Sequence, residues 1–161
     1  MVRAGTVVPL PLVIGLLALL PASAEGQVCR TNPAGVLETY PASGSRGAPR
    51  NGLITVVYCP PEDPFVDRSS VRLLLAAGSG GDLCECGELE CLPLRSGNTC
   101  ATAEAGRVDV EGELVTLTVE GELAANGRYI IEAPEPSATA YIEFITGDHF
   151  DSEPPHFDGP D

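Results

Sequence analysis

Lysine and tryptophan are absent from this chain, methionine occurs once, and four Tyr with four Phe hold the aromatic share of its 161 residues to 5%. All nine basic residues are therefore arginines, set against 23 Asp and Glu, for a formal net charge of −14. Nucleic acid is an unsuitable partner for such a surface, because phosphate binding needs clustered Lys and Arg. An anionic membrane surface is unsuitable for the same reason. Histidine is nearly missing as well: His149 and His156 stand alone, both close to the C-terminal end. The chain also lacks H-E-x-x-H, G-x-S-x-G and a Walker loop, and Gly78-Ser-Gly-Gly81 has no Lys to complete a phosphate cradle. No N-x-S/T sequon occurs. What remains is an apolar share of 43%, too high for a disordered chain, in a length that suits one domain.

The first 24 residues carry the pattern of a secretory signal. Arg3 supplies a short positive start, Val7 to Leu20 an apolar stretch, and Ala22-Ser23-Ala24 the small residues that predict cleavage before Glu25. The apolar stretch is short for a membrane span and is interrupted by Pro9 and Pro11. Val28 before the first cysteine argues against lipidation. The mature chain would hold 8 basic and 23 acidic residues, a charge of −15. It is expected outside the cytoplasm, in the periplasm, at the cell surface or secreted, with no membrane segment of its own.

Export changes how the cysteines read. Cys29, Cys59, Cys84, Cys86, Cys91 and Cys100 all follow the leader, and an even count in an exported chain points to disulfides. The last four are spaced C-x-C, C-x4-C and C-x8-C, without the C-x2-C pairs or nearby His of a zinc site. Sequence alone cannot choose among the possible connectivities; the preferred set is Cys84–Cys100, Cys86–Cys91 and Cys29–Cys59.

No long stretch has helical periodicity. Short apolar runs recur between Gly and Pro, which predicts strands. These are Val36–Tyr40, Leu53–Cys59, Val71–Ala77, Arg107–Glu111, Val115–Val119, Tyr129–Ala133 and Ala138–Thr146. Leu53–Cys59 is apolar on both faces and fits a central position; Pro60 and Pro61 end it. Arg107–Glu111 alternates, with Val108 and Val110 expected inward, and Gly112 turns it into the next strand as a hairpin with one wet face. Asn126-Gly127 is a turn dipeptide. Ala42–Pro49 and the cysteine-rich stretch from Gly78 to about Ala105 read as loop. The expectation is an all-β antiparallel sandwich of about seven strands over residues 36–148, with an insertion at 78–105 and an N-terminal segment at 25–35. An acidic, proline-containing tail follows at 149–161; the whole stretch from Gly147 on is expected to bury little and to move. A small barrel is the other architecture.

Three phrases tie this pattern to a known family. Tyr40-Pro-Ala-Ser-Gly-Ser-Arg-Gly-Ala-Pro49 leads into the apolar run Leu53–Tyr58. Tyr141-Ile-Glu-Phe-Ile-Thr-Gly147 closes the domain. Between them Leu123 and Tyr129 keep a Leu-x-Pro-x-x-x-Tyr spacing, with Ala125 in the Pro position. The stretch 36–148 thereby resembles the bacterial Ig-like domains found at the N-terminus of the S-layer protein SbsA. The chain departs from that pattern at Cys59-Pro-Pro-Glu-Asp-Pro64 and in the cysteine insert. The resemblance implies an Ig-like sandwich in which Leu123 and Tyr129 form a structural corner, the tyrosine burying its ring and bonding its hydroxyl to backbone a few residues upstream. It further implies a non-catalytic spacer or binding module whose partner is an envelope protein or polysaccharide. Asp151–Gly159 resembles an inter-domain joint.

Candidate chemistry is sparse. The two histidines sit near the chain's end, a poor place for a preorganised imidazole. Glu88/Glu90 and Glu111/Glu113 are paired carboxylates, but the second pair flanks a hairpin turn rather than a cleft. An enzyme is not expected, and no cofactor. Calcium is the one ion the acidic loops suit, through Glu62-Asp63 with Asp67 or Asp82 with Glu85, although EF-hand spacing is absent. The expected role is structural or adhesive, at the cell envelope, with the stapled 78–105 segment as either recognition element or cap. The alternative is a small secreted binding or inhibitory protein that presents Leu92-Pro-Leu-Arg95 to another protein's cleft.

Overall fold

A computed structural model of the chain describes residues 35–51, 53–59, 66–80 and 85–150. The signal stretch, Cys29, Cys84, His156 and the 151–159 joint lie outside the described residues. Ten strands are present: β1 Val36–Tyr40, β2 Arg46–Ala48, β3 Ile54–Tyr58, β4 Arg72–Ser79, β5 Glu90–Leu94, β6 Gly97–Ala103, β7 Gly106–Glu111, β8 Leu114–Val119, β9 Arg128–Pro134 and β10 Thr139–Thr146. The one helical element among the described residues is a single 3-10 turn, Arg68–Ser70. The strands form two sheets, a four-stranded one ordered β1-β3-β8-β7 and a six-stranded one ordered β2-β10-β9-β4-β6-β5. The chain is an all-β sandwich.

All seven expected strands are present, shifted by a residue or two at their ends. Three more lie where the composition predicts loop. β2 is three residues long, runs parallel to β10 and includes Gly47 at φ 79. Its pairing needs β10, which lies about a hundred residues further on, so its local Ser/Gly/Pro composition carries no strand signal. The other two, β5 and β6, turn the expected insertion loop into a hairpin that extends the larger sheet.

Alternation builds the main core. Tyr129, Ile131 and Ala133 of β9, Leu73 of β4, and Ile142 and Phe144 of β10 face Ile54, Val56 and Tyr58 of β3 and Val115 and Leu117 of β8. The rings of Tyr129 and Phe144 stack with centroids 5.7 Å apart. Thr116 and Thr118 take the opposite face of β8, Thr116 half-buried and Thr118 exposed, as the one-wet-face pattern required. Gly112 occupies the first turn position of the β7–β8 hairpin with φ 60, the geometry of a type II′ turn. Gly127 has no room for a side chain, because a Cβ there would stand 2.7 Å from the Tyr129 ring and 3.1 Å from the Ala124 carbonyl.

Two expectations fail at the edges. Val108 packs against the core, but Val110 is 46% exposed. Val110 stands opposite the fully buried Val115 but on the edge strand β7, where no further strand covers its outer side. Residues 147–150, expected to be mobile, are docked: Gly147 donates to Ala48 O (2.8 Å), and His149 O accepts from Arg50 N (3.2 Å). Arg50 also lies over the Phe150 ring, 4.8 Å from its centroid.

Candidate functional site

The cysteine-rich segment is the feature that sets this sandwich apart. Its position follows from the strands on either side. Leu73 and Leu74 of β4 are both buried, as are Tyr129, Ile130 and Ile131 of β9. Consecutive buried residues in a strand require cover on both faces. One face is the main core. On the other, Leu74, Ala101 and Ile130 pack with Leu92 and Leu94 of β5, and Ala76 and Tyr141 pack against them. The β5–β6 hairpin curls back over the outer face of its own sheet and adds a third layer there.

Polar contacts pin this flap at both ends. At its base, Glu90 reaches across β6 to β4, where its two carboxylate oxygens accept from Arg72 Nη1 (3.0 Å) and Nη2 (2.9 Å). Arg72 Nε also donates to Glu132 of β9 at 2.6 Å. The Glu90 hydrogen bonds, opposed by burial and then seconded by Glu132, push the Arg72 guanidinium pKa above its ordinary value. Beside them Tyr141 also has its pKa raised, by burial first and by Glu132 next. At its tip, Ser96 Oγ donates to Glu143 Oε1 (3.4 Å) and accepts from Arg128 Nη2 (3.5 Å). Arg128 and Glu143 pair with each other at 2.5 Å. Pro93, exposed in β5, lacks an N–H, which an edge strand tolerates.

Sulfur closes the base. Cys86 is bonded to Cys100 of β6, which ties the 85–89 turn to the flap. The expected Cys84–Cys100 and Cys86–Cys91 bridges are therefore both wrong. Cys91 stands directly opposite Cys100 in the β5–β6 ladder, yet its sulfur is used in another disulfide. Cys59 is disulfide-bonded as well, at the end of β3. Gly80 accommodates the bridge: its own Cβ would lie 3.2 Å from the Cys86 sulfur.

The remaining candidates scatter. Tyr129 is buried and its hydroxyl accepts from Ala124 N at 2.7 Å. Burial raises its pKa, partly opposed by that bond. Leu123 is buried beside it, with its carbonyl accepting from Arg50 Nε at 2.8 Å. Asp67 does not face a loop ligand. It caps the 3-10 turn, accepting from Ser69 N (3.1 Å) and Ser69 Oγ (2.5 Å). Glu85 is exposed, Glu62, Asp63 and Asp82 lie outside the described residues, and no three His, Cys, Asp or Glu converge among the described residues. Glu88, Glu111 and Glu113 are exposed, while Glu90 is spent on Arg72. His149 is exposed at the end of β10.

Two shallow clefts border the flap. One of about 310 Å³ lies between the 44–46 turn and Arg128, Glu143 and Ile145. The other, of about 410 Å³, lies between Ser69, Ser70, Arg72, Glu132 and Thr139. Arg128 is paired with Glu143 in the first and Arg72 with Glu132 in the second, while Arg46 also lines the first. Leu92 and Leu94, expected to be offered to a partner, are 3% and 8% exposed; of that segment only Pro93 and Arg95 face water.

Sequence reasoning missed the flap, although a signal existed. Leu73-Leu-Leu75 and Tyr129-Ile-Ile131 are unbroken apolar runs in strands that a two-layer sandwich would cover on one face only. Among the described residues no helix is long and apolar enough to cross a membrane. No family model matches the chain, and neither a curated protein nor a solved structure does.

Proposed function

We propose that the chain is a non-catalytic, exported Ig-like module with a structural or adhesive role at the cell envelope. The strand order carries this reading. Lettered by position, β1, β3, β8 and β7 correspond to A, B, E and D of an immunoglobulin fold, and β10, β9 and β4 to G, F and C. β6 and β5 extend the sheet beyond C, where variable-type domains add strands, though here the outer strand precedes the inner one in the chain. The Tyr129–Ala124 bond stands at the E–F corner, the place of the immunoglobulin tyrosine corner. The phrases shared with SbsA-type domains point the same way. Disulfides at Cys59, Cys86, Cys91 and Cys100 suit an oxidising compartment and hence export.

In this reading the flap is a cap. It spends its leucines on the sheet and presents water with a polar, acidic surface, which suits a spacer that must stay soluble next to other envelope components. The test is to express the full chain in an exporting bacterial host, fractionate the cells, and analyse non-reduced peptides by mass spectrometry. Recovery from the periplasm or medium with Glu25 as N-terminus and a Cys86–Cys100 peptide is the expected result. A cytoplasmic chain that retains residues 1–24 and has free thiols overturns the proposal.

A further inference from the structure

Each sheet ends in edge strands, and three of the four edges carry a device that blocks pairing with another chain. β1 has a register break between Val36 and Glu38, β2 is only three residues long, and β5 contains Pro93. β7 has none of these. Its six residues pair with β8 in continuous register from Gly106↔Val119 to Glu111↔Leu114. It also bears Val110, one of three exposed large hydrophobic side chains among the described residues.

Glu111 and Leu114 flank a two-residue turn, and Glu120 N donates to Ala105 O at 2.9 Å. Hydrogen-bonded pairs alternate along an antiparallel ladder, so Ala105, Arg107, Asp109 and Glu111 point their N–H and C=O at β8. Gly106, Val108 and Val110 point theirs away from β8, and among the described residues no backbone group is bonded to them. Side chains alternate as well: Arg107, Asp109 and Glu111 lie on the wet face, while Val108 faces the core.

We infer that β7 is a self-association edge, and that its occupant is β7 of a second copy, antiparallel about a two-fold axis through Val108. This register uses every outward backbone group of the strand. Val108 meets Val108, and Gly106 meets Val110 on both sides of the axis, giving about six inter-chain hydrogen bonds. On the wet face it sets Arg107 opposite Asp109 of the other copy, twice. Arg107 already holds Asp109 of its own strand through Nε (3.0 Å) and Nη2 (2.6 Å). The dimer closes these into a ring of four alternating charges. On the other face Val110 comes to lie over a glycine, which leaves it room. Moving the axis to Asp109 would set Arg107 opposite Glu111 twice but bring two aspartates face to face between those pairs, and an unshifted parallel pairing would place arginine on arginine. The charge order thus favours the antiparallel register about Val108, where no like charges meet. The result is a continuous eight-stranded sheet made of two four-stranded ones, the closed isologous contact of a two-fold dimer.

Sedimentation velocity of the purified full chain from micromolar to millimolar concentration tests this. A monomer–dimer equilibrium is expected. Arg107→Asp and Asp109→Arg, each alone, put like charges opposite each other twice, and each is expected to weaken the dimer roughly tenfold or more. The double variant Arg107→Asp/Asp109→Arg restores opposite charges in the same register and is expected to recover the parent's dissociation constant to within about threefold. All three variants change only exposed side chains, so circular dichroism should match the parent in every case. A chain that is monomeric throughout overturns the inference, as does a dimer indifferent to the single swaps or one that the double swap fails to rescue.

Discussion

Replacing Leu92 by Ala separates an ordered flap from a solvated loop. Leu92 is 3% exposed and packs with Leu74, Leu94, Ala101 and Ile130. Truncating a fully buried leucine forfeits the transfer free energy of its removed carbons and adds a cavity term, together about 2–5 kcal/mol. The flap is a hairpin attached along one edge and can settle partly into the gap, so the lower end applies, about 2–3 kcal/mol. Equilibrium unfolding in urea with the disulfides intact reads this directly as a lower midpoint at constant slope. In a thermal scan the same loss lowers Tm by roughly 10–20 °C for a domain of this size. The matched control is Leu89→Ala, on the turn just before β5 and 39% exposed, where a change under about 0.5 kcal/mol is expected. If Leu92→Ala falls within about 0.5 kcal/mol of the parent, the third layer does not exist and the segment is a loop.

Other perturbations reach the rest of the fold. Tyr129→Phe removes the acceptor of the Ala124 N–H, and a loss of about 1–3 kcal/mol is expected by the same urea assay. Tyr58→Phe is expected to be neutral or slightly stabilising, since the Tyr58 hydroxyl is buried with no hydrogen-bond partner among the described residues. Burial, only partly offset by the Arg68 guanidinium, pushes the Tyr58 pKa from 10.0 up to about 12. The protonated hydroxyl is therefore neutral to stability below about pH 10, and the fold loses roughly 2–3 kcal/mol between about pH 10 and 12, where the unfolded chain ionises first; Tyr58→Phe is expected to flatten that part of a stability-against-pH curve. The double variant Cys86→Ala/Cys100→Ala opens a bridge with a sequence separation of 14 and is expected to cost about 3 kcal/mol, with greater protease sensitivity confined to residues 85–103.

The seven strands legible in the sequence share one property. Each carries its own apolar alternation or apolar run, and each is bounded by Gly or Pro, so local information sufficed. Val115-Thr-Leu-Thr-Val119 announces which face is wet without reference to its neighbours. The role of Tyr129 rests on the fold, where its ring is buried and its hydroxyl accepts from Ala124 N. The segments that were misread depend on partners. Arg46–Ala48 becomes a strand only because β10 offers it an edge. Pro93 in β5 argued for loop, and a proline is tolerated there only because β5 is an edge. Val110 alternates correctly, but alternation says nothing about which strand ends up at the edge of a sheet.

By itself the sequence determined the all-β class, the positions of the core strands, the acidic surface and the cysteines available for oxidation. Each of these is set by residue type and short-range periodicity, which the chain carries wherever it folds. Only the tertiary structure decided that Cys86 takes Cys100, that Leu92 and Leu94 turn onto the outer face of their own sheet, and that Glu90 reaches Arg72. Those are encounters between residues far apart in the chain or separated by an intervening strand. Their geometry is set by the twist of the β5–β6 hairpin and by the apolar patch of Leu74 and Ile130 beneath it, which no window of neighbouring residues contains.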